Sequence, residues 1–160
     1  MTAEAIFGNA GQVCNASSRP VVHESLVDDL LSRIERESRS WIPGDPTIFK
    51  GVSNDMRIAR EEIFGPVMST ITFSDEAEAL AIANDTNYGL AAAVWTRDIN
   101  KAYKFARAMR AGSVYVNCFD FGDVSLPFGG YKESGFGRDK SLHALENHTQ
   151  LKTTFVNLVD

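Results

Sequence analysis

Apolar residues repeat along the chain with two different periods, and each period predicts one type of element. Residues 24–38 carry apolar side chains every three or four positions and charged ones on the opposite face, which predicts an amphipathic helix. The apolar positions are Leu26, Val27, Leu30, Leu31 and Ile34. From Val67 to Phe73, by contrast, β-branched side chains alternate with other residues, and this pattern is typical of a strand.

The stretch after this strand predicts two further helix–strand units. Ser74-Asp75-Glu76 would cap a helix that runs to about Ala83, and the apolar run 91–95 reads as a strand buried on both faces. Asp98 would cap a second helix that stops at Gly112, before a strand containing Val114 and Val116. The order βαβαβ implies three parallel strands. The expected fold class is α/β, a mostly parallel sheet with flanking helices.

The remaining elements lie nearer the two ends of the chain. Residues 2–10 resemble the end of a helix, and residues 19–23 a short strand in which Pro20 suggests an edge or an entry position. A short helical stretch follows at 56–62, and the alternation of residues 151–158 predicts a C-terminal strand.

Composition and charge narrow the function classes. The chain has 160 residues, 44% of them hydrophobic, and a net charge of −5 without a basic stripe, so nucleic acid and anionic membranes are poor candidate partners. Cys14 and Cys118 form no CxxC pair and, with three histidines, no plausible metal set. We therefore expect a soluble cytoplasmic domain with free thiols and no metal.

Cys14 is the leading candidate for chemistry. It follows a helix-prone lead-in and a break at Gly8 and Gly11, where substrate and backbone N–H donors can reach a thiol. A buried structural cysteine is the alternative for any isolated residue of this type. The spacing of the histidines does not support a Cys-His hydrolase. Cys118 is interpreted as a passive thiol at a strand end.

Three separated motifs resemble the aldehyde dehydrogenase superfamily. They are the Gly-Gln-x-Cys segment 7–18, the Glu-Glu-Ile-Phe-Gly-Pro segment 61–66 and the segment 127–138, Pro-Phe-Gly-Gly-x-Lys-x-Ser-Gly-x-Gly-Arg. Residues 93–98 and 138–146 look most like gamma-glutamyl-gamma-aminobutyraldehyde and betaine-aldehyde-type dehydrogenases. At Pro46 two family segments that are normally tens of residues apart meet, which suggests a removed internal segment.

The resemblance implies roles for individual residues. Cys14 would be the nucleophile that forms a thiohemiacetal and then a thioester, with its own N–H donating to the oxyanion. Glu62 would bind the ribose of the nicotinamide cofactor and Phe64 would pack near its ring. Four residues would shape the substrate pocket: Phe119, Asp120, Phe121 and Phe128.

The resemblance also implies missing parts. The family oxidises aldehydes with NAD or NADP, and its general base, asparagine oxyanion donor and Rossmann-type domain precede the cysteine motif. The turn at Ser74-Asp75-Glu76 lacks glycine and carries carboxylates, so it offers no phosphate site. We therefore expect this chain alone to hold no cofactor tightly and to be inactive.

Two alternatives and a domain division complete the predictions. The chain could instead be a non-catalytic assembly module that pairs with itself or an intact homologue, or it could retain weak thiol esterase chemistry. Residues 1–148 would be a partial catalytic domain, and residues 149–160 a tail from the oligomerisation element. An unpaired C-terminal strand would favour a homodimer.

Overall fold

The structure is a computed structural model that describes residues 2–39 and 46–158. Within these ranges the helices are α1 (Thr2–Phe7), α2 (Val27–Ser38), α3 (Arg57–Arg60), α4 (Glu76–Asn84) and α5 (Ile99–Ala108). The strands are β1 (Val21–His23), β2 (Thr47–Lys50), β3 (Val67–Phe73), β4 (Tyr88–Gly89), β5 (Ala91–Val94), β6 (Ser113–Val116) and β7 (Tyr131–Lys132). The 3-10 segments are Glu24–Leu26 and Leu142–His148, together with Gly8–Gly11, which is interrupted by left-handed residues. These elements confirm the α/β class. Most of the predicted junction before Pro46 lies outside the described residues.

The pairing of β3 differs from the prediction of three consecutive parallel strands. β3 lies between β1 and β2, and both pairs are parallel. Val21 to His23 pair with Ile71 to Phe73 on one side, while Thr47 to Lys50 pair with Val67 to Thr70 on the other. Because both edges of β3 are occupied, β5 cannot join it and pairs in parallel with β6 instead. The predicted edge position of β1 is confirmed.

The core holds the N-terminal helix against the central strand. Ile6 of α1, Ile34 of α2 and Met68 of β3 are almost completely buried in one cluster, together with Ala3 and Phe7. Full burial of an isoleucine, methionine or phenylalanine side chain stabilises a fold by about 1.5–3 kcal/mol. The chain that leads into Cys14 is therefore fixed to the sheet.

The helix caps follow the sequence prediction, with one exception. The Asp75 carboxylate accepts hydrogen bonds from the N–H groups of Ala77 and Glu78, both at 2.9 Å, and Asp98 caps α5 in the same way. Gly112, however, does not end α5, which stops at Ala108. A Cβ at Gly112 would lie 1.7 Å from the carbonyl oxygen of Gly129, so close backbone approach explains this glycine.

Two predicted strands are less enclosed than their sequences suggest. β5 is half-buried along its length rather than buried on both faces, because it belongs to a sheet of only two strands. Residues 151–158 form no strand within the chain and are exposed, so the predicted strand is not confirmed. Among the described residues, no helix has the length and apolar character needed to cross a membrane.

Candidate active site

The segment before Cys14 turns sharply through residues with left-handed backbone conformation. Asn9, Ala10 and Gly11 have φ values of 51°, 57° and 70°. The turn is closed twice, because the Gln12 N–H donates to the Asn9 carbonyl at 3.0 Å and the Asn9 side-chain amide donates to the Gln12 carbonyl at 3.0 Å. Left-handed conformations cost energy for residues other than glycine, so packing must hold this turn in place.

Gly11 brings the turn into direct contact with the motif at 61–66. A Cβ at Gly11 would lie 2.2 Å from the carbonyl oxygen of Gly65 and 2.8 Å from the nitrogen of Pro66. No side chain fits in this space. The contact joins two motifs that lie more than 50 residues apart in the sequence.

An exposed Cys14 lies in the small cleft that this contact creates. The cleft has a volume of about 60 Å³, and its lining residues are Gly11, Val13, Cys14, Ala16, Ser18, Glu62, Ile63, Phe64 and Gly65. Phe64 is 49% exposed and has a φ of 53°, so its ring lies at the surface. The structure thus brings Cys14, Glu62 and Phe64 together at one cleft. The roles that the resemblance implies for them stay predictions.

The chain beyond Cys14 is anchored to the core. The N–H of Ala16 donates to the Val13 carbonyl at 2.9 Å, and the N–H of Ser17 donates to the Ala5 carbonyl at 2.9 Å. The Ser18 carbonyl in turn accepts a hydrogen bond from Ser69 of β3 at 2.8 Å. The cysteine turn is therefore connected to both α1 and the central strand.

The predicted substrate segment touches Asn15, the residue after Cys14. The side-chain amide of Asn15, which is only 8% exposed, donates to the Asp120 carboxylate at 2.7 Å. The Phe119 ring lies against the Tyr115 ring, with centroids 5.6 Å apart, whereas Phe121 is 81% exposed. Asp120 and Phe119 are therefore placed near the cysteine turn, while Phe121 faces solvent.

Tyr115 has an altered acidity at this position. Burial is the main cause that raises the pKa of its phenol, and the negative charge of Asp120 raises that pKa further. Hydrogen bonding with the side chains of Asn15 and Ser113 acts in the opposite direction. Asn15 and Tyr115 carry no sequence signal that marks them as site residues, because no spacing rule links positions about 100 residues apart.

Phe128 has different neighbours. Its backbone exchanges two hydrogen bonds with Asp139, of 2.8 and 2.7 Å, and the Lys140 ammonium lies 5.4 Å from the centre of its ring. Phe128 does not line the cleft that contains Cys14. Its predicted contact with substrate stays a prediction.

Two cations hold the loops of the site to the C-terminal end of α4. Arg19, which follows the cysteine segment, donates to the carbonyls of Ile82, Ala83 and Asp85 at 2.8–3.4 Å. Lys132 donates to the carbonyls of Asn84 and Thr86, both at 2.8 Å. Burial lowers the pKa of each cation below its usual value. The negative end of a helix favours such partners.

Comparison with known proteins agrees with the motifs. Residues 1–47 and 44–154 match the profile described as the Aldehyde dehydrogenase family. The chain is 40% identical over 204 aligned positions to the NADP/NAD-dependent aldehyde dehydrogenase PuuC of Escherichia coli, covering 98% of this chain and 41% of that protein. It is 50% identical over 114 positions to a betaine aldehyde dehydrogenase of Brucella anthropi, covering 71% of this chain and 23% of that protein.

Solved structures give the same result. An indole-3-acetaldehyde dehydrogenase complexed with NAD+ has a TM-score of 0.91 at 43% identity, covering 98% of this chain and 42% of that chain. A gamma-glutamyl-gamma-aminobutyraldehyde dehydrogenase of Burkholderia cenocepacia has a TM-score of 0.91 at 42% identity, covering 96% and 41%. The chain thus spans about two fifths of the length of these relatives. The alignment with the Escherichia coli protein has 204 positions, whereas this chain has 160 residues, so at least 44 aligned positions have no counterpart in this chain.

Proposed function

Because this chain belongs to the aldehyde dehydrogenase family, we propose that Cys14 is the nucleophile of an aldehyde-oxidising site that the chain supplies only in part. The observation that carries the proposal is the exposed Cys14 in a cleft shared with Glu62 and Phe64. In the proposed reaction the Cys14 sulfur adds to the aldehyde carbon and forms a thiohemiacetal. The backbone N–H of Cys14 would donate to the developing oxyanion.

The cleft residues suit one end of a nicotinamide cofactor. Glu62 offers an exposed carboxylate that can accept hydrogen bonds from ribose hydroxyls, and the half-exposed Phe64 ring can pack against a nicotinamide. NAD or NADP, when bound, would accept the hydride that leaves the thiohemiacetal. Water would then release the acid from the thioester.

The N-termini of α4 and α5 do not suit the pyrophosphate of that cofactor. Asp75 and Asp98 place their carboxylates on the first N–H groups of α4 and α5. These donors are satisfied and the local charge is negative, which disfavours phosphate. Tight cofactor binding therefore needs residues beyond those that line the cleft.

We further propose that the chain alone does not turn over aldehydes. In the family the general base and the second oxyanion donor precede the cysteine motif. Loss of one oxyanion donor costs about 10²–10³-fold, and loss of a general base about 10²–10⁴-fold. Residues 1–148 are then a partial catalytic domain and residues 149–160 part of an oligomerisation element.

The test combines a thiol measurement with a turnover measurement. Iodoacetamide labelling of Cys14 should be slowed by acetaldehyde in the Cys118→Ala variant, because a thiohemiacetal removes the free thiol. The matched variant Cys14→Ala reports the same effect at Cys118, where no protection is expected. Equal labelling with and without acetaldehyde would contradict the assignment of Cys14. If the chain formed NADH and Cys14→Ala abolished this activity, the proposal that the chain is inactive would fail, while the assignment of Cys14 would stand.

A second function is supported by the exposed C-terminal segment. The side chains of Leu151, Phe155 and Leu158 are fully or almost fully exposed, which is unusual for large apolar residues. We propose that residues 151–158 pair with a second copy of the chain or with an intact homologue. Light scattering should give a dimer for the chain and a monomer for Phe155→Ser, with Thr154→Ser as control. A monomer in all three would contradict self-pairing.

A further inference from the structure

We infer that the hydrogen-bonded side chains of Asn15 and Asp120, with Tyr115 packed beside the segment of Asp120, form a positioning network that fixes the backbone direction at Cys14. The inference rests on the proposed function, since a positioning role requires a nucleophile. The Asn15 amide, the Tyr115 phenol and the Asp120 carboxylate exchange no atoms with substrate in this role. Asn15 is bonded to Cys14 through one peptide unit, so any force on its side chain acts directly on the cysteine backbone.

The geometry of Asn15 carries the first step. Its side chain is buried, and a buried amide requires hydrogen-bond partners. The partner is the Asp120 carboxylate at 2.7 Å, and hydrogen bonds to charged groups are shorter and stronger than neutral ones. Asn15 cannot rotate away without leaving its amide unpaired in the interior. The residue after the nucleophile is therefore held in one orientation.

The second step is that Asp120 is itself held in place. The segment that carries it leaves β6 through Asn117, whose side chain accepts from the Thr96 N–H and donates to the Thr96 carbonyl, both at 2.9 Å. Asn117 and Asp120 have φ values of 55° and 53°, which turn the segment back on itself. The carboxylate thus projects from a turn tied to the end of β5.

Tyr115 completes the network. It lies in β6, and its ring packs on that of Phe119, the neighbour of Asp120. Besides burial, the charge of Asp120 raises the pKa of the phenol, while the side chains of Asn15 and Ser113 lower it. Cys118 is the remaining titratable group whose charge acts on the phenol among the described residues. The pKa of Tyr115 therefore responds to both other residues, and in opposite directions: Asp120 raises it and Asn15 lowers it.

The titration of Tyr115 separates a network from a general structural role. Asp120→Asn removes a negative charge and should lower the pKa of Tyr115, whereas Asn15→Ala removes a stabilising hydrogen bond to the phenolate and should raise it. Difference absorbance at 295 nm between each protein and its Tyr115→Phe partner measures this pKa. Asp123→Asn, which removes a charge from the same loop, should leave it unchanged. Local unfolding would instead move both variants toward the ordinary value of about 10, and that result would overturn the inference.

The effect on Cys14 is measured by acetaldehyde protection against iodoacetamide in the Cys118→Ala background. We expect Asn15→Ala and Asp120→Asn each to weaken protection by about threefold or more, and the double variant to be no weaker than either single one. Additive effects in the double variant would overturn the coupling. If the parent protein shows no protection, the proposed function fails, and the Tyr115 titration still decides the network.

Discussion

Gly11 allows the sharpest test of how the cysteine turn is built, because two other glycines isolate the effects that act on it. Gly11→Ala adds a Cβ at a φ of +70° and only 2.2 Å from the Gly65 carbonyl oxygen. Gly51→Ala adds a Cβ at a φ of +71° with no atom within 4 Å. Gly8→Ala adds a Cβ in open space without a left-handed φ.

The magnitudes follow from these differences. A left-handed alanine costs about 1–2 kcal/mol, and forcing extra atoms into packed structure costs about 1–3 kcal/mol. Gly8→Ala should therefore change the free energy of unfolding by less than about 0.5 kcal/mol. Gly51→Ala should destabilise by about 1–2 kcal/mol, and Gly11→Ala by about 2–5 kcal/mol.

Urea unfolding followed by circular dichroism measures the three values on the same chain. For a protein of this size, 3 kcal/mol corresponds to a loss of about 6–12 °C in Tm. The iodoacetamide rate of Cys14 in Gly11→Ala should also differ from that of the parent, because the turn must separate from Gly65. Equal destabilisation by Gly11→Ala and Gly51→Ala would refute the close contact between the two motifs.

Three further predictions concern other parts of the fold. Thr70 of β3 is completely buried, and its hydroxyl has no hydrogen-bond partner among the described residues. Thr70→Val should therefore raise the free energy of unfolding by about 1 kcal/mol. A loss of stability in urea unfolding would show that the hydroxyl does have a partner. Asp75→Ala should cost about 1 kcal/mol because two N–H groups of α4 lose their acceptor, while Glu133→Ala, at an exposed loop position, serves as the control; equal Tm values would contradict the cap. The raised pKa of Tyr115 means that the folded state keeps its proton longer than the unfolded state. Its contribution to stability is therefore complete below pH of about 10 and lost as the pH rises through the folded pKa; a Tyr115→Phe variant should lack this part of the alkaline loss.

The sequence predicted those parts of the fold that depend on neighbouring residues. The helix over 24–38 became a 3-10 turn followed by α2, and the caps at Asp75 and Asp98 were confirmed. These features depend on side chains within a few positions of each other. The strand 67–73 was also confirmed, since its alternation is local.

The pairing of strands could not be predicted in the same way. Consecutive parallel strands usually lie side by side, but β3 has both edges filled by β1 and β2, which come earlier in the chain. The hydrogen bond between Asn15 and Asp120 spans 105 positions, and the contact between Gly11 and Gly65 requires a shape that no residue type announces. The motifs gave the candidate residues, but the contacts that rigidify the segments around Cys14 appeared only in three dimensions.

The positions of Lys132 and Arg138 show what the glycine-containing motif at residues 127–138 does in this chain. Lys132 donates to two carbonyls beyond α4, and Arg138 donates to the carbonyls of Gly130 and Gly137 at 3.1 and 2.6 Å. Both cations thus bind backbone oxygen atoms instead of pointing toward Cys14.

Arg19, which directly follows the cysteine segment, binds the same end of α4 as Lys132 does. Arg19 precedes α4 in the chain, whereas Lys132 follows it. The loop that carries Cys14 and the loop that carries Phe128 are therefore anchored independently on one helix end, whose carbonyls attract both cations. The charged residues of this motif, Lys132 and Arg138, bind backbone carbonyls, so they hold the loop in its fold. Cys14, Glu62 and Phe64 are exposed at a single cleft in this chain, and these are the side chains on which the proposed chemistry would depend.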